Sequence, residues 1–290
     1  MDRAREGWYE REEIQKVTLD WIKMNCKLTE REKELLQIVR DRKLVRRDHL
    51  EIISPSYRHL ETNRTRLLNR AIKKMYKSMI FDKVHETQEI GKGSNPCIVA
   101  LDKAGSLILG VSHKKRIIHK RSTLKGQYYV TRSLPSNYRH INGVNQTEVD
   151  TILFCDEVKS RIVHWKHEVA TKFYHGEEEI LFIPDVFCEL NMNNKQLLLF
   201  IEYDTGSENL RYKTNFPIIH DKVIKYRKYF KSNLWKNDYP LFPIILFVTE
   251  DDKRVEYFTQ KCKENGLRGF GVFHEKYVDF LRKLIDVVRK

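Results

Sequence analysis

An α/β class, α+β over the whole chain, follows from three features of the sequence. The first hundred residues carry helical periodicity and close on a short hairpin pattern; residues 111–137 are polar and basic; from about residue 138 onward helical and strand patterns alternate. Strands that alternate with helices form a sheet covered by helices, and 290 residues suffice for two cores. The expected organisation is a winged helix-turn-helix over 1–110 with an extra N-terminal helix, a basic linker over 111–137, and a mixed-sheet domain over 138–290.

The elements of the first part follow in order. A helix is expected from Trp8 to Met24. Thr29 with Glu32 is a capping-box pattern that opens a helix to Val39. Arg47 to Ile53 is a second, stopped near Pro55. Over Thr62 to Ile80, at 100° per residue, Leu68, Ala71, Ile72, Met75 and Met79 fill one arc. Arg66, Arg70, Lys73 and Lys77 form a stripe nearly opposite, with Lys74 at its edge and Arg64 in the first turn. Phe81 to Ile90, a turn at Gly91-Lys92-Gly93-Ser94-Asn95, and Cys97 to Leu101 then make a hairpin with a basic tip. Helix, helix, basic helix, hairpin is the order of a winged helix-turn-helix, whose third helix enters the major groove of double-stranded DNA. Arg64, Arg66, Arg70, Lys73, Lys74, Lys77 and Lys92 are the expected contacts; the bland alternative is a solvated basic face.

In the second part, helix is expected over Val144 to Tyr174, then a hairpin of Ile180 to Leu190 and Leu197 to Asp204. A helix from Ile218 to Lys231, a strand Pro243 to Thr249, a helix Lys253 to Glu264, a strand Gly269 to Phe273 and a last helix complete it.

Charge and cysteine usage narrow the class. Lys and Arg outnumber Asp and Glu by 54 to 40, and the excess is concentrated early: residues 1–120 hold 27 basic and 17 acidic side chains, residues 121–290 hold 27 and 23. A polyanion met through the N-terminal region is the expected partner, with a polybasic membrane-surface role the weaker alternative. Five scattered cysteines without a CxxC pair exclude a zinc ribbon or a redox dithiol and point to reduced thiols. No apolar run nears the roughly 20 residues of a membrane helix, so a cytoplasmic protein is expected. There is no GxxxxGK[ST] and no HExxH, and His164 and His167, expected on a helix, form no histidine-hydrophobic-histidine strand.

The acidic hairpin carries the chemistry. If it is symmetric about the Asn193–Asn194 bond, Asp185 stands opposite Glu202, and Asp204 projects from the same face two residues on. Three carboxylates then converge within roughly 5 to 8 Å, which destabilises the sheet unless a metal, a proton or a lysine compensates. Carboxylates are the hard ligands that Mg²⁺ or Mn²⁺ takes, and such an ion activates water against a phosphodiester. Asp185 and Glu202 are the expected ligands, with Asp204 either a third ligand or an acceptor that orients a lysine. On the following helix Lys222, Tyr226 and Tyr229 share a face beside Ile219 and Val223; Lys222 either supplies a catalytic ammonium or pairs with Asp204, and Lys213 competes from a loop.

Several short motifs carry a family resemblance. They are Val99-Ala100-Leu101-Asp102-Lys103-Ala104-Gly105, His140-Ile141-Asn142-Gly143-Val144-Asn145, Trp165 with Glu168, Ile183-Pro184-Asp185, Phe200-Ile201-Glu202-Tyr203-Asp204-Thr205-Gly206, and Lys222 with Tyr226. In this order, over residues 28–250, the chain resembles the replication-relaxation family of plasmids, conjugative elements and phages. The resemblance implies a winged helix fused to a restriction-endonuclease-like core with a PD-(D/E)XK motif. Glu168 matches the position where that core often adds an acid. Asp204, by contrast, stands where the motif has lysine. The implied role is in replication, relaxation or transfer of DNA, as a Mg-dependent nickase. The alternative is a non-catalytic accessory protein or transcription regulator that works with a relaxase, a replication initiator or a second copy of itself.

Overall fold

In the computed structural model, residues 11, 16–86, 95–124, 127–192, 195–206 and 217–289 are described. The chain divides into two compact units, Met1–Asn145 and Gln146–Lys290.

Among the described residues the first helix is α1 (Leu19–Asn25), capped by Thr18; the expected helix start at Trp8 lies outside the described residues, as do all of 1–10 and 12–15. α2 (Glu30–Arg42) starts with the expected capping box: the Glu32 backbone N–H donates to Thr29 Oγ1 at 3.3 Å, and the Thr29 N–H to Glu32 Oε2 at 2.9 Å. Such a cap is worth about 1 kcal/mol. β1 (Leu44–Arg46) follows, then α3 (Arg47–Ile53). Pro55 does end α3, but its fixed φ also suits a first helical position, and it opens a four-residue helix, α4 (Pro55–Arg58). α5 (Arg64–Lys77) buries Leu68, Ala71, Ile72, Met75 and Tyr76. Each large apolar side chain so buried contributes on the order of 1.5–3 kcal/mol.

β2 (Phe81–His85) and β3 (Cys97–Leu101) pair antiparallel, and β1 joins on the other side of β3 to give the order β1-β3-β2. The expected hairpin tip, with Lys92, lies outside the described residues. α6 (Lys103–Ile108) was not expected; there Gly105 lies so close to the chain that an added Cβ would sit 2.3 Å from the Ile80 carbonyl oxygen. The expected linker is structured in part: β4 (Ile118–Leu124) and β5 (Gln127–Ser133) form an antiparallel hairpin. Ile117 and Leu134 pack with Leu44, Val84, Ile98 and Tyr138, which is why this basic segment belongs to the first unit's core.

α7 (Tyr138–Glu157) begins in the first unit and ends in the second. Helix does not continue to Tyr174. Lys159 adopts a left-handed φ of 55°, and the β-branched and aromatic stretch that follows forms β6 (Arg161–His167) and β7 (Thr171–His175). Trp165, His164 and His167 therefore lie on a strand, and Glu168 in the bend after it.

Nor is Ile180 to Leu190 one strand. β8 (Glu178–Phe182) pairs with β7 in a separate hairpin, and β9 (Val186–Met192) starts after Pro184, which has no N–H to offer a ladder. β10 (Lys195–Asp204) pairs antiparallel with β9 in the expected register, Lys195 opposite Met192 through Ile201 opposite Val186. α8 (Pro217–Ser232), β11 (Ile244–Thr249), α9 (Asp252–Glu264), β12 (Gly269–Phe273) and α10 (Tyr277–Arg289) complete the unit. The sheet order is β12-β11-β10-β9-β6, with β10, β11 and β12 parallel and the rest antiparallel, so the sheet is mixed as expected. One face packs Leu198 and Phe200 of β10 against Ile219, Val223, Tyr226 and Tyr229 of α8. Gly271 lets α9 come close, since a Cβ there would lie 2.2 Å from the Val255 carbonyl oxygen.

Candidate functional site

Alternation along β10 puts Glu202 and Asp204 on the face that carries Phe200, and therefore under α8 and α9. The two acids meet different partners. Glu202 is only 3% exposed. Its Oε2 accepts from Lys222 Nζ at 2.7 Å and its Oε1 from the Tyr226 hydroxyl at 2.7 Å. Lys222 and Tyr226 are four residues apart on α8, which sets both on one face above the carboxylate. Asp185 stands just before β9, where the register would place it opposite Glu202, and its Oδ2 accepts the Tyr203 backbone N–H at 2.9 Å.

Burial pushes the Glu202 carboxyl up to about 7; the Asp185 charge pushes the same way, while Lys222 and the Tyr226 hydroxyl pull it back. Burial works against the charge of Lys222, but the carboxylates of Glu202, Asp185 and Asp204 outweigh it and hold the ammonium pKa above the ordinary lysine value. Tyr226, fully buried beside Glu202, is raised well above the usual phenol range, so it acts as a hydrogen-bond donor.

Asp204 is engaged elsewhere. Arg254 Nη1 on α9 donates to both of its oxygens at 2.9 Å, Thr249 Oγ1 donates to Oδ2 at 2.9 Å, and the Gly206 N–H donates to Oδ2 at 3.3 Å. The structure thus brings Asp185, Glu202 and Lys222 together and gives Asp204 to a buried guanidinium. Lys222 pairs with Glu202 rather than Asp204. Glu168 is exposed; its backbone N–H donates to the Asp185 carbonyl at 3.0 Å. Among the described residues no group of three His, Cys, Asp or Glu side chains is arranged to hold a metal ion.

Sequence reasoning missed Arg254, although a signal existed. Arg254, Phe258 and Cys262 are spaced by four and all are buried, so a cation interrupts an apolar stripe and needs a buried acid. Tyr229 stacks on Phe182 with centroids 4.7 Å apart, a core position. His167 Nε2 lies 3.6 Å from Glu148 and accepts from Trp165 Nε1 at 3.2 Å.

On the first unit, Arg66, Arg70, Lys73 and Lys77 are exposed along α5, opposite its buried face. Lys74 departs from the stripe: its Nζ donates to Glu32 and to the Lys27 carbonyl, each at 2.7 Å. Arg64 donates to the Arg58 carbonyl at 3.3 Å. Beside α5 a cavity of about 340 Å³ is lined by Lys73, Asn69, Arg47, Lys83, His85 and Asn95, a basic cleft between the helix and the β2–β3 ladder. Among the described residues no helix is long and apolar enough to cross a membrane.

These features define a mixed-sheet α/β protein with a buried acid–lysine centre in one unit and a basic helix in the other. The family model described as "Replication-relaxation" matches residues 36–245, and the chain belongs to that family. Membership ties it to replication or relaxation of plasmids or other mobile elements. No curated protein matches the chain. Among solved structures, the crystal structure of protein VC1899 from Vibrio cholerae is similar at 16% identity over 89% of this chain, with a TM-score of 0.32. The match spans 56% of the length of that protein, and so loose a superposition carries no argument.

Proposed function

We propose that the protein binds duplex DNA of a mobile element through α5 of the first unit and cuts or relaxes DNA at an Asp185–Glu202–Lys222 centre in the second. The order α2, α3, α5, then the β2–β3 pair, supports a winged helix-turn-helix with α5 as the recognition helix. Exposed Arg66, Arg70, Lys73 and Lys77, continued by the basic cleft, support backbone contact.

One observation carries the chemical half: a lysine from α8 lies 2.7 Å from the buried Glu202, next to Asp185. It supplies from a helix the ammonium that a PD-(D/E)XK centre takes from its strand, where this chain has Asp204. Two carboxylates suit Mg²⁺ or Mn²⁺, which binds through one or two of them and completes its shell with water and substrate phosphate. Asp185 and Glu202 would hold the ion, and its chemistry would be to activate water and neutralise charge on the phosphate. Lys222, 33% exposed, is placed to steady the same developing charge, and Glu202 would hold the ion as its carboxylate.

Both Glu202 oxygens are already hydrogen-bonded, which favours a second reading, a non-catalytic accessory protein in which the centre is structural. Supercoiled plasmid of the parent element, incubated with Mg²⁺ and protein, separates the two. The first reading expects nicked circles from wild type and none from Asp185→Ala, Glu202→Ala or Lys222→Ala; the same products from all four proteins mean accessory function. Arg70→Ala with Lys73→Ala should weaken duplex binding and flatten its salt dependence by roughly 2 in log–log slope. Affinity unchanged between low and high salt would remove the DNA-binding half.

A further inference from the structure

The β4–β5 hairpin is the part of the first unit that the α5 reading leaves without a role. From Ala104 to Asn145 the sequence carries eight Lys or Arg and no Asp or Glu, and the hairpin lies in the middle of that stretch. Its base is fastened at one rung of the ladder. His119 and Arg132 stand directly opposite each other, and both turn to Asp82 on β2, which is only 5% exposed. His119 Nε2 lies 2.6 Å from Asp82 Oδ2, and Arg132 Nη1 donates to Asp82 Oδ1 and to the Lys83 carbonyl, each at 2.8 Å. Arg132 Nη2 donates to the Tyr76 hydroxyl at 2.8 Å, and Tyr76 belongs to the last turn of α5. One guanidinium thus ties the hairpin to β2 and to α5 at once. A buried ion pair adds little net stability, so the effect of this clamp is on position. Strand alternation then sets the outward face: Lys120, opposite Thr131, points away from Asp82, and both are exposed, as is Lys115 on the approach to β4. The two strands run on past the clamp to Leu124 opposite Gln127, roughly 17 Å at the usual rise per residue. That exceeds the roughly 12 Å width of a major groove, so the hairpin can reach phosphates beyond the groove that α5 would occupy.

We infer that the β4–β5 hairpin is a second DNA-contacting arm, which Asp82 sets beside α5 so that Lys115 and Lys120 meet the phosphate backbone flanking the α5 site. The inference rests on the proposal that the first unit binds duplex DNA, and it adds a contact that α5 does not make.

The test uses the full chain and duplex DNA of the parent element. Lys115→Ala with Lys120→Ala probes the arm, Asp82→Asn probes the clamp, and Arg70→Ala with Lys73→Ala is the α5 control. Binding is measured across salt concentrations, and the contacted backbone is mapped by hydroxyl-radical footprinting. The paired lysine variant should bind about tenfold more weakly, with a log–log salt slope smaller by roughly 2, and lose flanking protection while the central protection stays. Asp82→Asn makes the chain more positive, so charge attraction alone would tighten binding; the arm requires weaker binding and the same lost flank. Equal or tighter binding by folded Asp82→Asn overturns the clamp. Wild-type affinity and footprint in the paired lysine variant overturn the arm, even where the α5 control binds weakly. A lost flank with the α5 control unaffected keeps the arm and removes α5 as the recognition helix. If Asp82→Asn does not fold, the paired lysine variant decides alone, because both lysines are exposed. A chain that binds no duplex overturns both readings.

Discussion

Glu202 and Asp204 sit two residues apart on one strand and face the same side, yet their surroundings make them different devices. Asp204 is clamped by the Arg254 guanidinium, with both side chains under a tenth exposed. Glu202 faces a lysine that is a third exposed, has a second carboxylate nearby, and titrates near neutrality. The first arrangement ties the end of β10 to α9 and to the turn at Gly206. The second keeps a carboxylate close to the balance between its two protonation states, a property that suits chemistry more than fastening.

The contrast can be broken most forcefully at Arg254. Arg254→Ala leaves Asp204 buried without its counter-charge and should cost about 3–5 kcal/mol, read by urea denaturation. A loss under about 1 kcal/mol would show that Asp204 is not locked. Next comes Glu202→Gln, compared with wild type across pH. Because the folded pKa of Glu202 lies above its unfolded value of 4.5, the folded state holds the extra proton between about 4.5 and about 7. The stability this group contributes is therefore complete below the unfolded value and is lost as pH rises through about 7. Wild type should fall relative to Glu202→Gln across that window, and parallel curves would remove the raised titration assigned to Glu202.

A smaller effect is expected from Lys222→Met, which removes the charge that holds Glu202 down and should move its titration upward from about 7, as followed by carboxyl carbon NMR. Tyr226→Phe should move it the same way by less, since only one neutral hydrogen bond is lost. A downward shift in either variant would reverse the assigned roles.

Much of this was legible before any coordinates. The capping box at Thr29, the buried arc of α5 and the β9–β10 register depend on neighbours in sequence, and each forms as expected. Segments whose fate depends on distant partners were not legible. Residues 158–174 read as helical until β6 finds β9 to pair with; the polar segment 111–137 read as a linker or exposed loop although Ile117 within it is buried in a core; and Lys74 read as the edge of a basic stripe although Glu32 captures it.

The sequence by itself pointed to two facts about the acids: that Glu202 and Asp204 share a face, because strand side chains alternate, and that Asp185 lies near Glu202, because pairing Lys195 with Met192 carries one register along both strands. Only the tertiary structure decided which cation each acid receives. That choice depends on how α8 and α9 lie across the sheet, and packing of Val223, Tyr226 and Phe258 against the strands sets it, far from the carboxylates in sequence.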